Sequence, residues 1–200
     1  MSSKAYQAFL DSMILNFERW HDGIGYDLKI LKQLETREKA SIEKLLIENL
    51  EHKGDWRDVQ ALAVLNTPTA RKAVDQARIH PKTKVRNYAL RNIIRNLDPE
   101  NTSKELSAEL EEQVIQAVMQ GDYEIAEYMP TMRVKKALLD SVLVVDSEKR
   151  VCGAAFLLYL CGQTSEPFDW DQRPFFLRFS DNNSGDIHEA WEELRRRAGL

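Results

Sequence analysis

The side chains best suited to hold a metal ion are few and widely spaced in this sequence. Its four histidines and two cysteines include no pair at the spacing that zinc sites use. His21 and Asp22 are neighbours, but no second histidine or cysteine stands at ligand distance from them in the sequence. We therefore expect these two residues to help close a turn, and we predict no metal and no cofactor.

Patterns that would indicate catalysis are equally weak. Gly23 and Gly25 form a Gly-x-Gly, but no predicted strand precedes it and no lysine or third glycine completes a phosphate loop. The chain has no Gly-x-Ser-x-Gly and no cysteine with a nearby histidine. The sequence favours a protein that is not an enzyme and has no catalytic residues.

Some carboxylates could still meet in the fold. Four aspartates lie in two segments whose folding the sequence does not specify: Asp22, Asp27, Asp169 and Asp171. A calcium loop is faintly suggested by Asp181, Asn183, Gly185 and Glu192. The glycine falls one place early for such a loop, and Glu192 lies inside a predicted helix, so we expect no calcium site.

Basic residues are concentrated in one part of the chain. Between Thr69 and Leu97 there are eight basic residues and one acid, a local charge of +7, whereas Asp98 to Tyr128 carries nine acids and one lysine, or −8. Two interpretations remain open: segments of opposite charge attract each other, or the basic one binds an acidic partner. For the second, the predicted partner-binding residues are Arg71, Lys72, Arg78, Arg86, Arg91 and Arg95.

Aromatic residues are concentrated near the carboxyl end. The segment Pro167 to Phe179 has five aromatics in thirteen residues, and its two prolines exclude a long regular helix. It either folds back as a cap on the preceding helices or presents aromatic anchors to a partner. Trp170 and Arg173 are therefore added to the predicted partner-binding residues.

Composition limits the class of protein. The 200 residues are 43% hydrophobic and 30% charged, which is typical of a single soluble globular domain. No apolar run approaches the length of a membrane span. The first residues lack the basic and apolar regions of a signal peptide, so we expect none. Cys152 and Cys161 are nine residues apart in a predicted helix and cannot bridge each other, so we expect a cytoplasmic protein.

The stretch from Asp55 to Leu97 predicts helices separated by turns that contain proline. Small apolar residues at helical spacing form one face of a helix: Ala70, Ala73, Val74 and Ala77. The next helix shows a similar face: Val85, Ala89, Ile93 and Leu97. We also predict an amphipathic helix from Lys4 to Trp20 and a final helix that begins with a capping box of Asp186 and Glu189.

This pattern resembles HEAT-type helical repeats. Val85, Arg86 and Ala89 match the Val-Arg-x-x-Ala of many such repeats, and residues 84–89 align with 150–155 at an offset of 66. A second alignment, of Ala73 and Val74 with Ala137 and Leu138, has an offset of 64. Each offset equals two repeats of about 32 residues.

The resemblance implies an all-α fold, a right-handed α-solenoid of HEAT-like helix pairs with an aromatic C-terminal cap. We expect one domain over residues 1–200, with N-terminal helices in 1–54, repeats in 55–162 and the cap in 163–200.

Three kinds of function are compatible with that fold. The favoured one is a protein-binding module, and the two ends of the chain resemble those of small bacterial HEAT-repeat proteins, which implies an immunity partner that binds and neutralises a toxin. The alternative is a HEAT-like DNA-binding protein or a DNA glycosylase acting on alkylated bases. The sequence pI of about 5.7 makes nucleic acid the less favoured partner, and no membrane partner and no definite oligomeric state are predicted.

Overall fold

Every regular element that the structure describes is a helix. The computed structural model describes residues 3–14, 17, 21–98, 102–180 and 184–200. The predicted all-α class is confirmed, while the solenoid arrangement and its handedness stay predictions. Within the described residues, no helix combines the length and the apolar character that crossing a membrane would require.

The chain forms two compact units, Met1–Asn96 and Leu97–Leu200. The boundary between them falls within the segment 55–162 in which repeats were expected. The single repeat domain over residues 1–200 stays a prediction, and each unit is described by itself.

The first unit is built around its fourth helix. The helices are α1 (Lys4–Ser12), α2 (Leu28–Leu31), α3 (Thr36–His52), α4 (Trp56–Leu65), α5 (Pro68–Ala77) and α6 (Thr83–Arg95). Helix α4 packs against α2, α3, α5 and α6. Its buried apolar residues are Val59, Ala61 and Leu62, so α4 supplies the centre of this core.

The small-residue face predicted for α5 is confirmed. Ala70, Ala73, Val74 and Ala77 are all buried. In α6, Val85 and Ala89 are buried as predicted, but Ile93 is only half-buried, and Leu97, expected on the same face, lies beyond the end of the helix. Leu90 and Ile94 are buried instead. Helix α6 packs against both α4 and α5, and these two helices together cover more of its surface than one neighbour would.

The second unit begins with three helices, followed by a short irregular stretch and a final helix. The three helices are α7 (Lys104–Met119), α8 (Met132–Ser141) and α9 (Ser147–Leu160). A 3-10 helix, Glu124–Tyr128, joins α7 to α8. After α9 come the 3-10 helix Trp170–Gln172, α10 (Arg173–Phe176), the 3-10 helix Leu177–Ser180 and α11 (Ser184–Ala198). Phe175, Phe176 and Phe179 are buried, and this segment packs against α9.

A side-chain contact is repeated in the two units. In the first, the Thr67 hydroxyl donates to a Glu43 carboxylate oxygen at 2.7 Å, and Thr67 is the N-cap of α5. In the second, the Thr131 hydroxyl donates to Glu111 at 2.5 Å, and Thr131 is the N-cap of α8. Each threonine therefore satisfies a backbone N–H of its own helix and ties that helix to α3 or α7.

A lysine contact is repeated as well. The Lys82 ammonium donates to the Lys53 carbonyl at the end of α3. The Lys149 ammonium donates to the Gln120 carbonyl at the end of α7, at 3.3 Å. The last carbonyls of a helix have no hydrogen-bond donor within the helix itself. Each of these two bonds supplies a donor to one such carbonyl. The two units therefore share two specific side-chain contacts.

Helix ends differ from the prediction in two places. Helix α1 stops at Ser12, whose hydroxyl donates to the Phe9 carbonyl at 2.7 Å and so competes with the backbone pattern. Ile14 and Phe17, expected on its apolar face, are 65% and 74% exposed, and Trp20 lies outside the described residues. Helix α11 begins at Ser184, so Asp186 lies in its first turn rather than at the predicted capping box.

Candidate functional site

Charged and aromatic side chains converge at the start of α4. Asp55 is the N-cap of this helix, and its Oδ1 accepts the Arg57 backbone N–H at 3.0 Å. The Arg57 guanidinium donates to both oxygens of the same carboxylate, from Nε at 2.9 Å and from Nη2 at 2.5 Å. The pair is bidentate, the geometry in which arginine and carboxylate interact most strongly.

This ion pair keeps both groups charged. Burial opposes ionisation of Asp55, but the hydrogen bonds from Arg57 outweigh it and hold the pKa of Asp55 below its ordinary value. The hydrogen bond to Asp55 also raises the pKa of Arg57. The two charges largely cancel, and the pair acts as a rigid element at the start of α4.

Asp58 is in a different environment. It is fully buried, at 0% exposure, because it lies on the same helix face as Ala61 and Leu62. The Tyr26 hydroxyl donates to its Oδ1 at 2.9 Å, while Oδ2 accepts no hydrogen bond from the described residues. Burial raises the pKa of Asp58 to about 7, and the bond from Tyr26 only partly offsets this.

Trp56 is surrounded by aromatic and cationic groups. Its ring centroid is 4.5 Å from that of Tyr88. The Lys84 ammonium lies over the indole at 4.6 Å from the ring centroid, and the Arg57 guanidinium carbon is 5.7 Å from it. Cations at such distances from an indole are attracted by its negative face. Trp56 therefore connects α4 to α6 through both ring packing and charge.

A cavity of about 330 Å³ opens beside these residues. Its walls come from two turns and from the first residues of α4 and α6. The lining residues are Gly23, Gly54, Asp55, Trp56, Arg57, Lys82, Lys84 and Val85. Its volume falls at the lower end of the range typical of small-ligand pockets.

Gly54 is required where α3 turns into α4. Its φ is +60°, and a Cβ built there would lie 2.6 Å from the His80 ring and 3.1 Å from the Lys82 side chain. Only glycine suits both the left-handed backbone and the close approach. The wall of the cavity formed by Gly54 and Lys82 is therefore closely packed.

The predicted partner-binding residues on α5 are exposed. Arg71 and Lys72 both lie on the face of α5 opposite to its buried alanines. Arg78 follows the last turn of α5 and pairs with Asp75 at 3.0 Å. Arg71 and Lys72 are therefore well placed to meet a partner, while Arg78 has a local role.

The predicted partner-binding residues on α6 differ from one another in exposure and in their contacts. The Arg86 guanidinium donates to the His80 carbonyl at 3.0 Å and to the Thr83 hydroxyl at 3.2 Å. The Arg91 guanidinium carbon is 5.6 Å from the Tyr88 ring centroid. Both arginines are half-buried, whereas Arg95 is exposed. Two further cations are exposed at the start of this helix, Lys84 and the N-cap residue Lys82, and neither was among the predicted partner-binding residues.

The two units carry opposite charge. Residues 1–96 contain 17 basic and 12 acidic residues, which gives +5, and residues 97–200 contain 11 basic and 20 acidic residues, which gives −9. The change of sign noted between Leu97 and Asp98 thus coincides with the boundary between the units. The cationic surface belongs to the first unit.

Trp170 and Arg173 lie in the second unit. The Trp170 side chain is 70% exposed, and the Arg173 guanidinium carbon is 5.9 Å from its ring centroid. Phe168 contacts Trp170 edge-on, with ring centroids 5.3 Å apart. Trp170 is thus the exposed member of an otherwise more buried aromatic group.

The aspartates considered for catalysis have local partners. Asp22 Oδ1 is 3.0 Å from His21 Nδ1. Asp27 caps α2 by accepting the Lys29 N–H at 3.1 Å. Asp169 accepts the Asp171 N–H at 3.0 Å.

In the described part of the chain, no group of three or more His, Cys, Asp or Glu side chains is placed to hold a metal ion. Asp181 and Asn183, considered as calcium ligands, lie outside the described residues.

The cluster at the start of α4 was not predicted from the sequence. Its members are far apart in the sequence: Tyr26 and Asp58 are 32 residues apart. One signal was present, because the spacing of Asp58 to Ala61 and Leu62 places a carboxylate on the core face of the helix. A buried acid at such a position needs a partner, and Tyr26 supplies it.

Comparison of this chain with protein-family models, with curated proteins and with solved structures found no match. The candidate site therefore rests on its own geometry.

Proposed function

We propose that this protein is a non-enzymatic binding module whose first unit contacts an acidic protein partner. The observation that carries the proposal is the exposure of Arg71 and Lys72 on α5, beside a helix with exposed Lys82, Lys84 and Arg95. An excess of positive charge on one surface accelerates encounter with an acidic surface. The resemblance to small bacterial HEAT-repeat proteins supports a toxin domain as the partner, which this protein would bind and neutralise in the cytoplasm.

The second unit contributes an aromatic anchor to the proposal. Trp170 is 70% exposed and has Arg173 beside it. Tryptophan and arginine are the residue types that most often dominate the energy of protein interfaces. We therefore include both among the residues that contact the partner.

The test begins with isolation of the partner by affinity capture from the native cell and its identification by mass spectrometry. Association rates are then measured for the wild-type protein and for the double variant Arg71→Glu/Lys72→Glu. We expect the variant to associate about tenfold more slowly, with a weaker dependence on salt. The matched control is Lys32→Glu/Lys44→Glu, which changes the net charge equally at two exposed lysines, one directly after α2 and one in α3.

An unchanged association rate in the Arg71→Glu/Lys72→Glu variant would remove this surface from the interaction. An equal decrease of the association rate in the control variant would mean that the net charge of the protein, rather than the α5 surface, determines this rate. For the second unit, Trp170→Ala should raise the dissociation rate of the same complex, since anchors affect dissociation more than encounter.

A DNA glycosylase acting on alkylated bases is the second candidate function. The observation that favours it is that a charged carboxylate, Asp55, and an indole, Trp56, line the same cavity. Enzymes that act on bases bind the extruded base against aromatic side chains. The cationic residues Lys82 and Lys84 in the same wall would contact phosphate.

The glycosylase function is tested with duplex DNA that contains N-methylated purines. The expected results are DNA binding that weakens steeply with salt, and release of free methylated base that Asp55→Asn abolishes. Absence of binding at low salt would exclude this candidate. Circular dichroism of the variant checks that loss of the N-cap has not unfolded α4.

A further inference from the structure

We propose that the cavity beside Trp56 binds a small organic anion whose charged group is carried on an aromatic or apolar body, such as an aryl phosphate or aryl carboxylate. The inference goes beyond the proposed binding of a protein partner. It uses neither Arg71 nor Lys72 and requires no partner protein for its test.

The net positive charge of the cavity wall favours the binding of an anion. Its charged lining residues are Arg57, Lys82, Lys84 and Asp55, three cations and one anion. The Asp55 carboxylate is already bound by two guanidinium nitrogens of Arg57. The ammonium of Lys82 donates to a backbone carbonyl, which carries no net charge, so the four charged lining side chains sum to +2. The two lysines therefore give the cavity an excess positive charge that a bound anion would neutralise.

The same wall offers apolar surface next to that charge. Lys84 Nζ lies 4.6 Å from the centroid of the Trp56 ring, and the half-buried Trp56 itself lines the cavity. A ligand that pairs with the Lys84 ammonium therefore binds beside the indole. A ligand with an aromatic body adjoining its charge can use both features, whereas a bare inorganic ion uses only one.

The cavity is also preformed. Trp56 is fixed by Tyr88 at 4.5 Å, and the Asp55–Arg57 pair holds the start of α4. The tight packing of Gly54 against His80 and Lys82 leaves no space for even a methyl group there. A ligand therefore has little side-chain ordering to impose on binding, which favours affinity.

The experiment is a titration of the full chain with phenyl phosphate, followed by two-dimensional NMR of the backbone amides and tryptophan indoles. We expect saturable shifts at Gly54 and at the Trp56 indole, with a dissociation constant of about 1 mM, as suits a ligand of this size. Inorganic phosphate should bind at least about fivefold more weakly because it lacks the aromatic body. Phenol, which lacks the charge, should give no saturable shift at these positions.

The variant Lys84→Gln removes the cation over the indole at an exposed position. It should weaken phenyl phosphate binding by about tenfold. The control Lys44→Gln changes an exposed lysine of α3, whose side chain is 3.8 Å from Glu48, and should bind like the wild type. Circular dichroism of both variants checks that they remain folded.

Three results would overturn the proposal. They are the absence of saturable shifts in the wild type, equal binding by Lys84→Gln and wild type, and equal responses to phenol and phenyl phosphate. Replacement of phenyl phosphate by benzoate tells whether the site prefers phosphate or carboxylate, and saturable binding of either anion at Gly54 and Trp56 supports the proposal. A failure here leaves the α5 surface untouched, since that surface is tested by association rates alone.

Discussion

The buried carboxylate of Asp58 should make the first unit less stable as the pH rises. In the unfolded chain an aspartate ionises near 3.8, whereas in the folded protein the pKa of Asp58 is raised to about 7. Between these values the unfolded state has already lost the proton that the folded state retains. Unfolding then releases a proton, and the free energy of unfolding falls with increasing pH, levelling off above about pH 7.

The magnitude follows from the size of the shift. A difference of about 3 pKa units, at 1.36 kcal/mol per unit, amounts to about 4 kcal/mol. Asp58 is 0% exposed, so solvent screening does not reduce this value in the way it would at the surface. A loss of this size is a large fraction of the total stability of a typical domain.

The perturbation that tests this is Asp58→Asn, which keeps the size of the side chain and an oxygen that can accept the Tyr26 hydroxyl. Urea unfolding of wild type and variant is measured by circular dichroism at about pH 4 and about pH 8. In the wild type, Asp58 lowers the free energy of unfolding by about 4 kcal/mol between these pH values, and the variant should lack this part of the change. Comparing the pH-dependent change within each protein cancels any pH-independent cost of burying the amide.

Asp55 provides a control of opposite sign, three residues away on the same helix. Its pKa lies below the ordinary value because the hydrogen bonds of Arg57 outweigh burial. Its ionised form therefore stabilises the folded state above the unfolded pKa, and that contribution is lost as the pH falls through the lowered value. In Asp55→Asn the free energy of unfolding should thus fall less on acidification than in the wild type. In Asp58→Asn it should fall less as the pH rises. Identical pH profiles for wild type and Asp58→Asn would refute the reasoning about the buried carboxylate.

The remaining predictions concern the helix caps and the thiols. Thr67→Ala and Thr131→Ala should each lower the free energy of unfolding by about 1 kcal/mol, because each loses an N-cap and a bond to a glutamate; Thr69→Ala, at an exposed position of α5, is the control in urea unfolding. Burial raises the pKa of both Cys152 and Cys161, so iodoacetamide should alkylate each more slowly at neutral pH than it alkylates N-acetylcysteine, as measured by mass spectrometry. Rates equal to that of the free thiol would contradict the raised pKa values.

The helical class and the best-defined helix face could be predicted because both depend on local spacing. Ala70, Ala73, Val74 and Ala77 repeat at the helical period, and all four are buried. The ends of helices were harder to predict because they depend on competing hydrogen bonds. Ser12, for example, bonds to the Phe9 carbonyl where the sequence pattern alone would continue the helix.

The candidate site could not be predicted in the same way, since its contacts join distant parts of the chain. Trp56 meets Tyr88 and Lys84 from α6, and Asp58 meets Tyr26 from the segment before α2. No periodicity within a single helix encodes such pairs. The charge of the α5 and α6 region was visible in the sequence, but the structure was needed to separate exposed Arg71 from Arg86, which binds backbone carbonyls.

Because the threonine and lysine contacts are repeated, the second unit can serve as a comparison for the first unit, which contains the candidate site. Both units use a threonine cap tied to a glutamate and a lysine bound to a helix-end carbonyl. Between these contacts the first unit has the ten-residue α4 with its charged cluster, whereas the second has only the five-residue 3-10 helix Glu124–Tyr128. Substitution of Thr131 or Lys149 in the second unit therefore measures what loss of a shared contact costs, and a change of binding seen only on substitution in α4 is assigned to its cluster.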